Sequence, residues 1–149
     1  MIRSALFSVG IFFLCCLGVA PQALGHESMD LLFHKALNES KNGDFVKALS
    51  SWNQFLLLSP ENAIALSNRG NVLLALGEPE AAILDQTKAI DLLPLEIDPY
   101  LNRGIAEEAL GKWDEAINDY QSILRIDPSN YSALYNLGNI MVSQKNWLT

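Results

Sequence analysis

Cysteine occurs only twice in the 149 residues, side by side as Cys15-Cys16. Neither follows the Leu-small-small pattern of a lipoprotein signal, and beyond them a disulfide or a thiol nucleophile is excluded. Histidine is as scarce, with His26 and His34 only. Neither has the further ligands at helical spacing that a metal site needs, so both read as solvent-facing side chains and no metal or other cofactor is implied. Positive charge is short: ten Lys and Arg stand against seventeen Asp and Glu, for a net charge of −7. Nowhere do the basic residues cluster, which argues against nucleic acid as a main partner, since phosphate binding needs a basic face. Glycine never gathers into a phosphate-cradling loop. There is no low-complexity segment and no linker long enough to separate two domains, so the chain is one domain or a short array.

The N-terminus differs from the rest. Arg3 precedes an apolar run from Ala5 to Ala20, closed by Pro21. The run is short for a membrane span, which needs about 20 residues. Ala23-Leu24-Gly25 places small residues where a signal peptidase inspects the chain. Residues 1–25 therefore read as a secretory signal cleaved near His26, with residues 26–28 a short polar linker. The alternative is a retained anchor formed by residues 5–20, and any membrane contact runs through this segment alone.

From Met29 onward one register repeats. Tyr100 to Pro128 slides back by 34 residues onto Leu66 to Pro94, aligning Asn-Arg-Gly, Ala-Leu-Gly, Ala-Ile-x-Asp and a closing proline. The register continues back to Pro60 and forward to Tyr135-Asn-Leu-Gly-Asn139. A fixed period of this size marks a solenoid. Each unit holds two apolar stripes at helical spacing, Tyr100, Gly104, Glu107 and Leu110, then Ala116, Ile117, Tyr120 and Leu124. Gly43, Gly77 and Gly111 share the slot between them, where a left-handed residue stops a helix. Ala36, Gly70, Gly104 and Gly138 share a second slot and Ala48, Ala82 and Ala116 a third; small residues there let two helices approach closely. Helices are expected from Met29 to Lys41, from Phe45 to Leu58, and from Tyr131 to about Ser143. Asp44 and the pair Asp98-Pro99 are expected to cap the helices that follow them.

Tyr100, Gly104, Ala116, Tyr120 and Pro128 fall on the large–small–large, Ala, aromatic, Pro pattern, and the chain from Met29 onward resembles the tetratricopeptide-repeat family. The resemblance implies an all-α, right-handed solenoid of helical hairpins: repeats at 29–62, 63–96 and 97–130, and a partial fourth at 131–149. Gln86 departs from the pattern where Trp52 and Tyr120 supply an aromatic, and Lys35, Arg69 and Arg103 occupy a slot that only Leu137 fills with an apolar residue. The wording of Ser67-Asn-Arg-Gly-Asn71, Asp85-Gln-Thr-Lys-Ala-Ile90 and Tyr135-Asn-Leu-Gly-Asn139 is similar to exported repeat proteins of cyanobacteria and plastid lumens. That likeness implies the periplasm or the thylakoid lumen, and a part in assembling or maintaining a membrane-associated complex.

In this family the first helix of each pair lines the concave face. Asn68, Asn102 and Asn136 recur there at the 34-residue period, with Asn71 and Asn139 one turn on. An amide side chain offers both donor and acceptor, so the row suits the main chain of an extended peptide, with Leu101, Ile105 and Tyr135 as apolar neighbours. Equally, the asparagines brace neighbouring helices. The resemblance does not extend to the basic clamp that takes acidic C-terminal peptides, because Phe33, Asp98 and Asn102 stand where positive charge is wanted. Arg69 and Arg103 either face the groove or lay their stems along the helix pair and meet a carboxylate such as Glu107. The carboxylates Glu107-Glu108, Asp114-Glu115 and Asp119 spread over two helices, reading as a solvated face and not as a catalytic pair.

The resulting expectation is a non-catalytic protein- or peptide-binding module. From another class comes the alternative that the array targets or scaffolds a longer polypeptide carrying an enzyme. The last helix bears more apolar side chains, Leu134, Tyr135, Leu137, Ile140, Met141 and Val142, than one packed face can bury. Residues 131–149 are therefore expected to belong to a longer repeat array or to self-associate.

Overall fold

A glycine at each hairpin tip sets the architecture. Gly43, Gly77 and Gly111 have φ of 78°, 80° and 71°, the left-handed region that side chains with a Cβ disfavour. Each follows a helix, and the amide of the next residue reaches back to a carbonyl of the last turn: Asp44 N to Glu39 O, Glu78 N to Leu73 O and Lys112 N to Glu107 O, each at 2.9 Å. This bond satisfies one of the orphan carbonyls of the helix end. The residue that closes one helix also begins the next, so the two helices fold back on each other.

The computed structural model describes residues 21–146, with side chains over 28–144. These form seven helices and no strand: α1 Pro21–Lys41, α2 Phe45–Leu58, α3 Ala63–Ala75, α4 Pro79–Leu92, α5 Ile97–Ala109, α6 Trp113–Ile126 and α7 Tyr131–Asn146. Every helix packs on its successor, and the first helices of neighbouring hairpins also touch, α1 on α3 and α3 on α5. Pro60, Pro94 and Pro128 each lie one residue past a helix C-cap, where a helix cannot continue.

Local starts differ from expectation in three places. α1 begins at Pro21, not Met29, because proline is well suited to a first helical turn. Residues 26–28 thus continue a helix instead of forming a linker, and the expected cleavage site near His26 falls inside α1. Asp44 sits at the start of α2 but makes no capping bond; its carboxylate meets Lys47 at 3.4 Å. α5 starts at Ile97, ahead of Asp98-Pro99, which lie within its first turn. Asn62 and Asn130 do cap, accepting from Ala65 N at 2.9 Å and Ala133 N at 3.1 Å. Residues 1–20 of the signal expected over 1–25, with the alternative anchor over 5–20, and Trp147 and Leu148 lie outside the described residues. Among the described residues no helix is long and apolar enough to cross a membrane.

One repeating contact positions the core. Trp52, Gln86 and Tyr120 occupy the same slot of successive second helices, each fully buried over a small residue of the first helix. Trp52 stacks edge-on with Phe33 and Phe55 at centroid distances of 5.1 and 6.2 Å. Gln86 gives its amide to Ser67 O at 3.0 Å and Asn71 Oδ1 at 3.2 Å, but its Oε1 has no partner. A methyl at Gly104 would lie 2.6 Å from Tyr120 Cε1, whereas no atom of the described residues lies within 4 Å of one at Gly138. α7 buries Ala133, Leu137 and Ile140 and leaves Leu134 and Met141 more than half exposed.

The same substitution should therefore have opposite signs at two positions of one slot. Gly104→Ala must displace the Tyr120 ring and should cost about 1–3 kcal/mol. Gly138→Ala meets open space in a helix and should add about 0.5–1 kcal/mol. Urea denaturation of the two variants measures both; a loss at Gly138 would mean that something covers that site.

Candidate functional site

A trough runs over the first helices of the hairpins. Its larger part is a cavity of about 380 Å³ between α3 and α5, with Asn68, Asn71 and Asn102 in its lining beside Ile64, Glu96 and Asp98. A second depression of about 270 Å³ joins it through Asn68 and Asn71, and is otherwise walled by Leu37, Ser40, Lys41, Phe45 and Val72. Sequence spacing explains the convergence, since Asn68 and Asn102 hold the same slot of adjacent repeats.

The three asparagines are not equally available. Asn68 donates to Ile64 O at 2.8 Å, leaving its carbonyl as the free group. Asn71 accepts from Gln86 at 3.2 Å, leaving its amide. Asn102 makes no hydrogen bond to another described group, so both of its groups are free. The remaining candidates lie elsewhere. Asn136 is within reach of the Tyr120 hydroxyl, and Asn139 is exposed but lines neither depression. Leu101 packs against the core cluster around Tyr120 and is not a groove contact. Ile105 is partly exposed beyond the cavity, while Tyr135 stacks on Tyr131 at 6.0 Å. Ile64, Glu96 and Asp98 line the same cavity and are not among the sequence candidates. A signal for two of them exists: Ile64 and Asp98 precede Asn68 and Asn102 by one helical turn, at the same period.

Arg69 and Arg103 are turned into the helix stack, not the groove. Arg69 clamps Asp85 through two bonds of 2.7 Å and gives a third to Asn53 Oδ1 at 2.9 Å. Arg103 does the same with Asp119, at 2.8 and 2.7 Å, and with Thr87 Oγ1 at 3.0 Å. The partner of Arg103 is thus Asp119 across the hairpin, not Glu107 along the helix, because two oxygens of one carboxylate match the guanidinium fork. His34 is exposed, edge-on to Phe33 at 6.1 Å. Phe33 is itself packed against Trp52 and Phe55, so its place at the basic-clamp position is taken up by the core.

The carboxylates also depart from a solvated face. Asp114 and Glu115 are exposed in the first turn of α6, but Glu107 and Asp119 are buried, and Glu108 accepts from the Tyr120 hydroxyl. Burial, and next the nearby Asp119 charge, push Glu107 up to about 7. Its Oε2 has no partner. Unfolded, this group ionises near pH 4.5; folded, it keeps its proton to about pH 7, so stability is lost as pH rises between these values. From pH 5 to pH 8 the free energy of unfolding should fall by at least the ~1.4 kcal/mol of one pKa unit, and Glu107→Gln should flatten the profile. A wild-type profile as flat as the variant's would show that Glu107 ionises normally.

Comparisons with known proteins meet this geometry. A family model described as "Tetratricopeptide repeat" matches residues 34–97, and one described as "TPR repeat" matches residues 106–145. The chain belongs to the tetratricopeptide-repeat family. The "Protein STIP1 homolog" of Dictyostelium discoideum is 39% identical over 87 residues, which is 58% of this chain and 15% of that protein. The chain spans a quarter or less of the curated relatives it matches, from 15% to 25% of their lengths. Among solved structures, the first repeat domain of Spaghetti (RPAP3) bound to the HSP90 peptide SRMEEVD superposes with a TM-score of 0.76 at 26% identity, covering 80% of this chain and 94% of that one. The second such domain of human RPAP3, in complex with the HSP70 peptide SGPTIEEVD, gives 0.73 at 27%, covering 78% and 97%.

Proposed function

We propose that the chain is a non-catalytic protein-binding module that holds an extended peptide segment in the trough over α1, α3 and α5. The observation that carries this reading is the convergence of Asn68, Asn71 and Asn102 on one cavity, each with an unused amide or carbonyl group. Such groups pair with a peptide main chain without regard to its sequence. Tetratricopeptide repeats are generally interaction modules, and two solved repeat domains of the same fold hold a chaperone peptide. Arg3 and the apolar run from Ala5 to Ala20 support export; the periplasm or thylakoid lumen, and a role in assembling or maintaining a membrane-associated complex, rest on the likeness of the repeat wording to exported repeat proteins. Asn102→Ala should weaken binding of a peptide selected from a random phage-displayed library by about 1 kcal/mol or more, with an unchanged melting temperature. A lower melting temperature at constant affinity would make the asparagines structural.

A second reading concerns association through α7. Gln86 covers Gly70 and Tyr120 covers Gly104, while none of the described residues covers Gly138, which is flanked by the exposed Leu134 and Met141. A helix from a second copy would bury that face. Light scattering on the chain should show a concentration-dependent dimer that Leu134→Glu with Met141→Glu abolishes; a monodisperse monomer at high concentration would end this reading.

A further inference from the structure

The trough is electrically polarised, and its α5 end is set up for a cation. Glu96 and Asp98 both line the larger cavity, both are exposed, and among the described residues no lysine or arginine lines it with them. The two arginines of the flanking helices are committed elsewhere, Arg69 to Asp85 and Arg103 to Asp119. Lys88, on α4, gives its ammonium to Pro60 O at 3.1 Å, beside a separate depression behind α3. The two carboxylates therefore keep their charge uncompensated at the cavity wall. The opposite end of the trough carries Lys41 and no acidic side chain.

A structural role accounts for only part of this. An acidic residue in a first helical turn complements the helix dipole, which covers Asp98. Glu96 holds the N-cap position of α5 but its side chain makes no capping hydrogen bond, so that carboxylate is not consumed by the helix. Ile64, Leu93 and Pro99 line the same cavity as the acids and the asparagines, with Ile64 57% and Leu93 42% exposed. A wall of this kind receives the methylene stem of lysine or arginine while the charged head stays at the rim.

We propose that this trough selects extended peptides by a lysine or arginine side chain seated against Glu96 and Asp98, with the peptide main chain on Asn68, Asn71 and Asn102 and an apolar residue between Leu37, Phe45 and Val72. The proposal rests on the peptide-binding reading above and adds the sign of the ligand's charge. An acidic peptide meets like charge at the α5 end, which suppresses binding. The polarity also fixes direction, because only one orientation brings the cation to α5 and leaves Lys41 facing neutral or acidic groups.

The test selects dodecapeptides from a random phage-displayed library on the immobilised full-length chain. It then measures the recovered peptides by fluorescence anisotropy against wild type and the Glu96→Gln, Asp98→Asn double variant. Recovered sequences should be enriched in lysine and arginine. The double variant should weaken them about three- to tenfold, Glu96→Gln alone should weaken them at an unchanged melting temperature, and affinity should drop as salt screens the pair. Neutral or acidic peptides whose affinity ignores the double variant but falls with Asn102→Ala would overturn the charge selection and leave peptide binding standing. Recovery of no peptide above a control surface would overturn both.

Discussion

Arg69 and Arg103 each hold three helices at once. The guanidinium leaves the first helix of a hairpin, takes a carboxylate of the second helix with two parallel bonds, and touches the second helix of the preceding hairpin with a third. The pairs are mostly withdrawn from water, with side-chain exposures of 24% and 9% for Arg69 and Asp85 and 20% and 5% for Arg103 and Asp119. A pair in this setting adds little net stability over an apolar one, but losing one member strands a charge at about 3–5 kcal/mol. Its effect is geometric. Five donors in a rigid fork admit one relative placement of the helices, and the close contact at the Gly70 and Gly104 slots depends on that placement.

The period made most of the fold legible. Glycines at the left-handed turns and prolines past the helix ends act through backbone sterics alone, so their positions in the sequence are their positions in the structure. The α2 limits, Phe45 and Leu58, follow from them directly. Asp44 was less legible, because the Gly43 turn already closes the helix end and leaves Asp44 its exposed lysine. Side-chain choice was the harder part. Glu107 stands four residues from Arg103, yet Asp119 takes the arginine, and only the recurrence of Arg and Asp at the same spacing in the preceding repeat announces it.

The candidate site was legible in its centre and not at its edges. Asn68 and Asn102 share a slot and converge, but Asn136, in the same slot of α7, has its amide within reach of the Tyr120 hydroxyl instead. Leu101 replaces the slot held by Ser67 in the preceding repeat, and the same change of side chain moves it from cavity lining to core packing. Glu107 shares a slot with the buried Leu73. A carboxyl in a leucine's place is tolerated while it holds its proton, which composition alone does not disclose.

The reach of the arginines also constrains how this molecule can change in length. Arg69 and Arg103 each span sixteen residues backward to a neighbour's helix and sixteen forward to their own. An insertion or deletion inside either interval rotates one partner off the face that meets the fork. A whole repeat added or removed at a proline boundary restores both spans together. Gene duplication can therefore lengthen or shorten this array only in integral steps, and partial steps are confined to repeats such as those of Lys35 and Leu137, which lack the arginine.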